Sequence, residues 1–137
     1  MDSLERFVTA QQGAYHRALA EVTAGEKVSH WMWFIFPQLR GLGQSPTARH
    51  YGIADRAEAE AYLRHPVLGP RLAEISAAAI AVPNRTANAI FGWPDDLKLR
   101  SCATLFAVVA PDTVYTRVLD RFFDGAPDER TLELLGL

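Results

Sequence analysis

A chain of 137 residues that is 49% hydrophobic and 22% charged is long enough to bury about two-thirds of its open-chain surface in one core. That excludes disorder and collagen-like architecture. The net charge is −2; residues 1–68 carry seven charges of each sign and residues 69–137 carry seven basic and nine acidic, so no basic stripe exists to collect phosphates and no nucleic-acid partner is expected.

In chain order, Ser3 to Ala24 reads as one helix, with Leu4, Phe7, Val8, Tyr15, Ala18, Leu19 and Val22 on an apolar stripe. Asp2 and Glu5 have capping-box spacing, and Gly25 stands where a left-handed C-terminal residue is wanted. Trp31 to Phe36 fits either a buried strand or two turns of buried helix. Ser29 can cap it and no partner strand is visible, so the expectation is helix. Asp55 with Glu58 is a second capping box, opening a helix that Pro66 stops. Val67 to Val82 follows, with Leu68, Leu72, Ile75, Ala79 and Val82 on one face, and Pro83 ends it. Thr86 caps a short turn over Ala87 to Phe91. Asp95 or Asp96 can cap a longer helix to about Val109, with Leu97, Cys102, Leu105 and Phe106 inward. Asp112 caps the next, ended by Gly125, and Asp128 opens a last short helix with Leu132, Leu134 and Leu135. No alternating strand pattern appears. The expected architecture is all-α, a single-domain irregular multi-helix bundle over residues 1–137.

Cys102 is the lone cysteine, which excludes an intramolecular disulfide and a thiol-rich zinc site; its plain role is a small core residue. His16, His30, His50 and His65 form no pair at helical ligand spacing, so no metal is expected. The first 30 residues lack a basic start followed by an apolar core, and the longest apolar run, Trp31 to Pro37, is far short of a bilayer. A cytoplasmic location without a membrane partner is the expectation.

The segment HWMWFIFPQ, residues 30–38, is the most unusual feature. Read plainly, it is a helix buried on all sides. Read functionally, Trp31 or Trp33 offers a flat stacking face, with His30 and Gln38 supplying oriented hydrogen bonds. GLGQS, residues 41–45, matches neither the dinucleotide fingerprint nor the Walker pattern. Ser45 is either a plain helix cap or part of an anion-facing helix start. His65 before Pro66 sits at a helix end, where a cation suits the dipole. Lys98 lies three residues past Asp95, the spacing of an exposed ion pair; alternatively Lys98 and Ser101 share a helix face and point into one cleft with His30. On that view Lys98 neutralises an anionic ligand.

Taken together, HWMWFIFPQ, GLGQS, YLRHPVLGPRL (62–72) and FGWPDDLKLRSCATLF (91–106) are similar to the domain of unknown function 1810 family, over nearly the whole chain. The resemblance implies a mainly α-helical single domain with no established activity or cofactor, so no catalytic residue carries over. A calpastatin-like label is often attached to such proteins. A calpain inhibitor of that name is a long disordered chain acting through short repeats, and a short, repeat-free, half-hydrophobic chain does not suit that role.

Two functions follow as expectations. In the first, a cleft lined by HWMWFIFPQ and DDLKLRS binds, and acts on, a small anionic or nucleotide-like ligand. Lys98 and Arg71 hold the anion, Trp33 stacks, Gln38, Ser45 and Ser101 add hydrogen bonds, and His30 or His65 handles a proton. In the second, the chain is a non-catalytic interaction module or homo-oligomer with an exposed apolar patch. Neither names a cofactor.

Overall fold

The computed structural model describes residues 4–137, and among them every extended regular element is a helix. Ten helices run in order: α1 (Glu5–Gln11), α2 (Tyr15–Ala24), α3 (Met32–Ile35), α4 (Pro46–His50), α5 (Arg56–Arg64), α6 (Leu68–Ala81), α7 (Ala87–Phe91), α8 (Asp95–Val109), α9 (Val114–Phe123) and α10 (Glu129–Leu134). The one β-type pairing among the described residues is an isolated parallel bridge between Leu39 and Ile53. Arg40 N–H donates to the Ile53 carbonyl at 2.8 Å, and Ile53 N–H donates to the Gln38 carbonyl at 2.9 Å.

The packing centres on α8, which touches α5, α7, α9 and α10, while α6 lies against α2, α5 and α9. An aromatic chain threads the middle, each ring 5.2–5.6 Å from the next: Phe7, Tyr62, Phe106 and Tyr115. A second cluster joins Trp31, Phe36 and Phe91. α5 and α6 approach so closely that a Cβ on Gly69 would stand 2.1 Å from the Leu63 carbonyl oxygen. Glycine is required there.

Several expectations meet local corrections. The first helix is two, broken over residues 12–14, because Gly13 weakens helix at that point. The bend lets α1 pack on α3 while α2 packs on α6. The Asp2–Glu5 capping box, like the helix start at Ser3, lies outside the described residues. Ser29 does not cap α3. Trp31 stands at that position with no side-chain cap, two residues past Ser29, which gives its N–H and hydroxyl to Glu21. α3 is also shorter than expected, since Phe36 precedes Pro37 and leaves the helical region.

Pro94, not Asp95 or Asp96, sits before α8, and no side chain caps that helix. Asp95 spends its carboxylate on lysines. Leu97 is 50% exposed rather than inward. It lies two residues, about 200° around the helix, from Leu99, whose stripe through Cys102 and Phe106 does the packing. Asp112 adopts a left-handed φ of 59° and Thr113 precedes α9 without capping it; Asp124, also left-handed, ends α9 just before Gly125. Thr86, Asp128 and Asp55 cap as the spacing predicts, each side chain accepting a backbone N–H three residues on.

Candidate functional site

The segment after α2 builds the site. Gly25, at φ 81°, turns the chain back, and Lys27 N–H then donates to the Ile90 carbonyl at 2.7 Å, pinning the segment to α7. Glu21 gathers it further. Its carboxylate accepts from the backbone N–H of Val28 and Ser29, the Ser29 hydroxyl and the Trp31 indole N–H, at 2.7–2.9 Å. Burial alone would raise its pKa, but those N–H and hydroxyl donors hold it down to about 2. The carboxylate is therefore ionised and fully occupied with shaping the loop. Trp31, 1% exposed, is locked in place by the same bond.

With the loop fixed, two lysines meet one aspartate. Lys27 Nζ lies 2.8 Å from Asp95 Oδ2, and Lys98 Nζ lies 3.1 Å from Asp95 Oδ1. Lys27 also donates to the Ser29 carbonyl at 2.7 Å. Each ammonium faces an indole: Lys27 sits 5.0 Å from the Trp31 ring centre and Lys98 sits 4.7 Å from that of Trp33. The side chains of Lys27, Asp95 and Lys98 are 7%, 19% and 22% exposed, so the group is partly desolvated and its charges act at reduced dielectric. Trp33 is half-buried.

Trp33 and Lys98 are thus brought together, and Lys98 also makes the plain ion pair that its spacing to Asp95 suggests. The other predicted site residues are engaged differently. His30 is exposed. Ser101 is buried, its hydroxyl donating to the Leu97 carbonyl of its own helix at 3.2 Å. Ser45 caps α4, accepting from Ala48 N–H at 3.1 Å. Gln38 is half-buried beside Gly43, with its backbone carbonyl in the bridge to Ile53. His65 follows α5, but its Nδ1 accepts from the N–H groups of Val67 and Leu68, at 3.1 and 3.3 Å. It therefore serves the start of α6 as a hydrogen-bond acceptor.

Arg71 belongs to a second polar cluster. Gln11, 2% exposed, donates to the Phe34 carbonyl at 2.8 Å and to the Tyr62 hydroxyl at 3.2 Å, and its amide oxygen accepts from Arg71 Nη1 at 3.3 Å. The guanidinium stacks on Tyr15, 4.8 Å from the ring centre. Tyr15 in turn hydrogen-bonds to the Arg71 carbonyl and to Glu74. Burial, reinforced by Glu74, pushes the Tyr15 phenol above its usual range, and burial does the same to Tyr62. The two clusters adjoin in the chain, since Trp33 faces Lys98 and the carbonyl of the next residue, Phe34, receives Gln11.

Lys27 and Gln11 were not singled out in the sequence. Gln11 carried a readable signal, a polar residue at the four-residue step between Phe7 and Tyr15 on the apolar stripe. Lys27 carried none. Cys102 is fully buried, and burial pushes its thiol far above the reactive range. Among the described residues, no three His, Cys, Asp or Glu side chains gather to hold a metal, and no helix is long and apolar enough to cross a membrane. Two surface grooves, about 540 Å³ along residues 80–86 with Arg121 and about 310 Å³ between Arg40, Asp55, Arg56 and Leu134, contain none of the predicted site residues.

A family model described as "Protein of unknown function (DUF1810)" matches residues 1–135. The chain belongs to the DUF1810 family. This DUF1810 protein is also similar to a solved structure, that of the conserved hypothetical protein Rv1873 from Mycobacterium tuberculosis. The two share 48% identity over 98% of this chain and 96% of that one, with a TM-score of 0.96. No curated protein matches the chain. Family membership thus agrees with the motifs and the all-helical fold, and assigns no activity to any DUF1810 residue named above.

Proposed function

We propose that the protein binds a small anionic ligand carrying a flat group, such as a nucleotide, at the corner where α3 meets the start of α8. The observation that carries this reading is that one carboxylate, Asp95, serves two half-buried ammonium groups. Asp95 balances one of these two charges, while the ionised Glu21 nearby is bonded to neutral N–H and hydroxyl donors and to neither lysine. A paired arrangement for stability alone needs one lysine, because a second on the same carboxylate adds like-charge repulsion for little gain. Lys98 is the group that takes the anion, Lys27 keeps Asp95 in place, and the half-buried indole of Trp33 is the flat wall. No proton-transfer role is assigned: His65 is committed to a backbone cap, and His30 has no basic or acidic partner.

The test is a set of melting curves for wild type, Lys98→Ala and Asp95→Asn, each with adenosine 5′-monophosphate, inorganic phosphate or adenosine. Wild type is expected to be stabilised most by the monophosphate, by about 2–3 kcal/mol when it is present at roughly a hundred times its Kd. Lys98→Ala is expected to abolish that gain. Asp95→Asn, which releases both lysines, is expected to enlarge it. A gain that survives intact in Lys98→Ala, or a wild type that responds to none of the three, overturns the reading.

A second reading rests on Val28, Trp93 and Leu97, exposed at 72%, 76% and 50% in the segments that carry Lys27, Asp95 and Lys98. Exposed apolar residues of this size suit a protein contact. Sedimentation over a wide concentration range separates the two: a dimer that Trp93→Ser dissolves favours the interaction module, and a monomer throughout favours the ligand site.

A further inference from the structure

We propose that Arg71 is the anchor of a second site, independent of the lysine corner, that takes an anion presenting two oxygens side by side, a carboxylate or a phosphate, on the Nε–Nη2 edge of its guanidinium. Three observations carry it. Among the described residues, Gln11 is the single hydrogen-bond acceptor that meets this guanidinium, through Nη1, and no carboxylate stands within 4 Å of it. Nε and Nη2 thus present an unoccupied fork of N–H donors, the geometry that matches a carboxylate or phosphate with two parallel bonds.

The fork is also held in position. Gln11 is buried in the core, and its NH2 group is fixed by the Phe34 carbonyl and the Tyr62 hydroxyl, so its oxygen can face only Arg71. The Tyr15 ring supports the flat face of the guanidinium.

Finally, a counter-ion on the same helix is diverted. Glu74 is three residues further along α6, the spacing at which an arginine and a glutamate on a helix readily pair. Its carboxylate is bound to the Tyr15 hydroxyl instead, and Tyr15 is also bonded to the Arg71 carbonyl. The same side chain that stacks on the guanidinium therefore keeps the local acid engaged elsewhere.

The experiment is a titration of the uniformly 15N-labelled protein with inorganic phosphate and, separately, with acetate, at constant ionic strength set by chloride, following the Arg71 Nε–H resonance. A saturable shift of that resonance with either probe, absent with chloride alone, is the expected result. The tighter of the two identifies phosphate or carboxylate as the source of the anion. Arg71→Lys keeps the charge but loses the fork, and is expected to weaken binding, read from neighbouring backbone amides, by at least about tenfold. The wild-type titration stands even if that variant fails to fold. An Arg71 Nε–H that ignores both probes into the tens of millimolar overturns the proposal, as does an Arg71→Lys variant that binds as well as wild type. Running the titration on Lys98→Ala separates the two sites: the Arg71 shift is expected to persist there unchanged.

Discussion

Two half-buried arginines, Arg6 on α1 and Arg71 on α6, show how differently one residue type is used in this fold. Arg6 binds the Glu58 carboxylate at 3.0 Å, donates to the Gly52 and His50 carbonyls at 2.8 and 2.7 Å, and lies 4.4 Å from the Phe7 ring centre. It ties α1 to the end of α4, to Gly52 beyond it and to α5, and a carboxylate balances its charge. Arg71 has a neutral amide and a phenol ring for company. Arg6 is thus part of the scaffold, whereas Arg71 is oriented by neutral groups, and its binding capacity is what we propose above. Charge balance, more than burial, separates a structural cation from one able to receive a ligand.

That contrast can be broken most forcefully at Arg6. Arg6→Met leaves Glu58, which also accepts Ala54 N–H, without its cation, and is expected to cost about 2–4 kcal/mol in urea unfolding. A loss below about 1 kcal/mol would place Arg6 in the same class as Arg71.

Glu21 sharpens the point from the acidic side, because its donors are backbone and indole groups rather than cations. Glu21→Gln puts an NH2 group against those donors and is expected to cost about 1–3 kcal/mol. The folded pKa of about 2 lies below the ordinary 4.5, so the unfolded chain binds the proton first on acidification. The contribution of Glu21 is therefore complete above about pH 4.5 and is lost as the pH falls towards 2. Chemical unfolding across that window should show a flatter acid limb in Glu21→Gln than in wild type; identical limbs would mean the carboxylate is not held as described.

Arg71→Met is expected to cost less than Arg6→Met, about 1–2 kcal/mol, most of it from leaving the buried Gln11 oxygen unpaired. Lys98→Ala is the mildest, under about 1 kcal/mol without ligand, because Asp95 keeps Lys27. Equal losses from Lys98→Ala and Arg6→Met in the same urea series would remove the distinction between scaffold and spare charge.

The helices were legible in the sequence where local chemistry decides them. Asp55, Thr86 and Asp128 cap as their spacing implies, and Gly25 turns left-handed as its position after α2 implies. Reading failed where a distant group outcompeted a local one. Ser29 looks like a cap, but Glu21, eight residues back, holds it in the loop and α3 starts two residues too late for it; Asp95 looks like one until two lysines claim it.

The pairing of Trp33 with Lys98, 65 positions apart, followed from treating the aromatic segment and the DDLKLRS helix as one site. The place of Lys27 did not, because it depends on a backbone bond to Ile90 that no local pattern encodes. Ser101 and His65 each found a backbone partner near in sequence, a use that residue type and position alone do not distinguish from ligand binding.

The most direct test of the ligand site follows the three indole N–H resonances during titration with adenosine 5′-monophosphate. Trp31 is locked to Glu21, Trp93 is exposed on the turn before α8, and Trp33 lies under Lys98. The Trp33 resonance is expected to shift saturably, with Trp31 moving little, and Lys98→Ala is expected to remove the shift. A Trp33 signal that stays fixed while the protein is saturated with the nucleotide, or that moves equally in Lys98→Ala, contradicts the account.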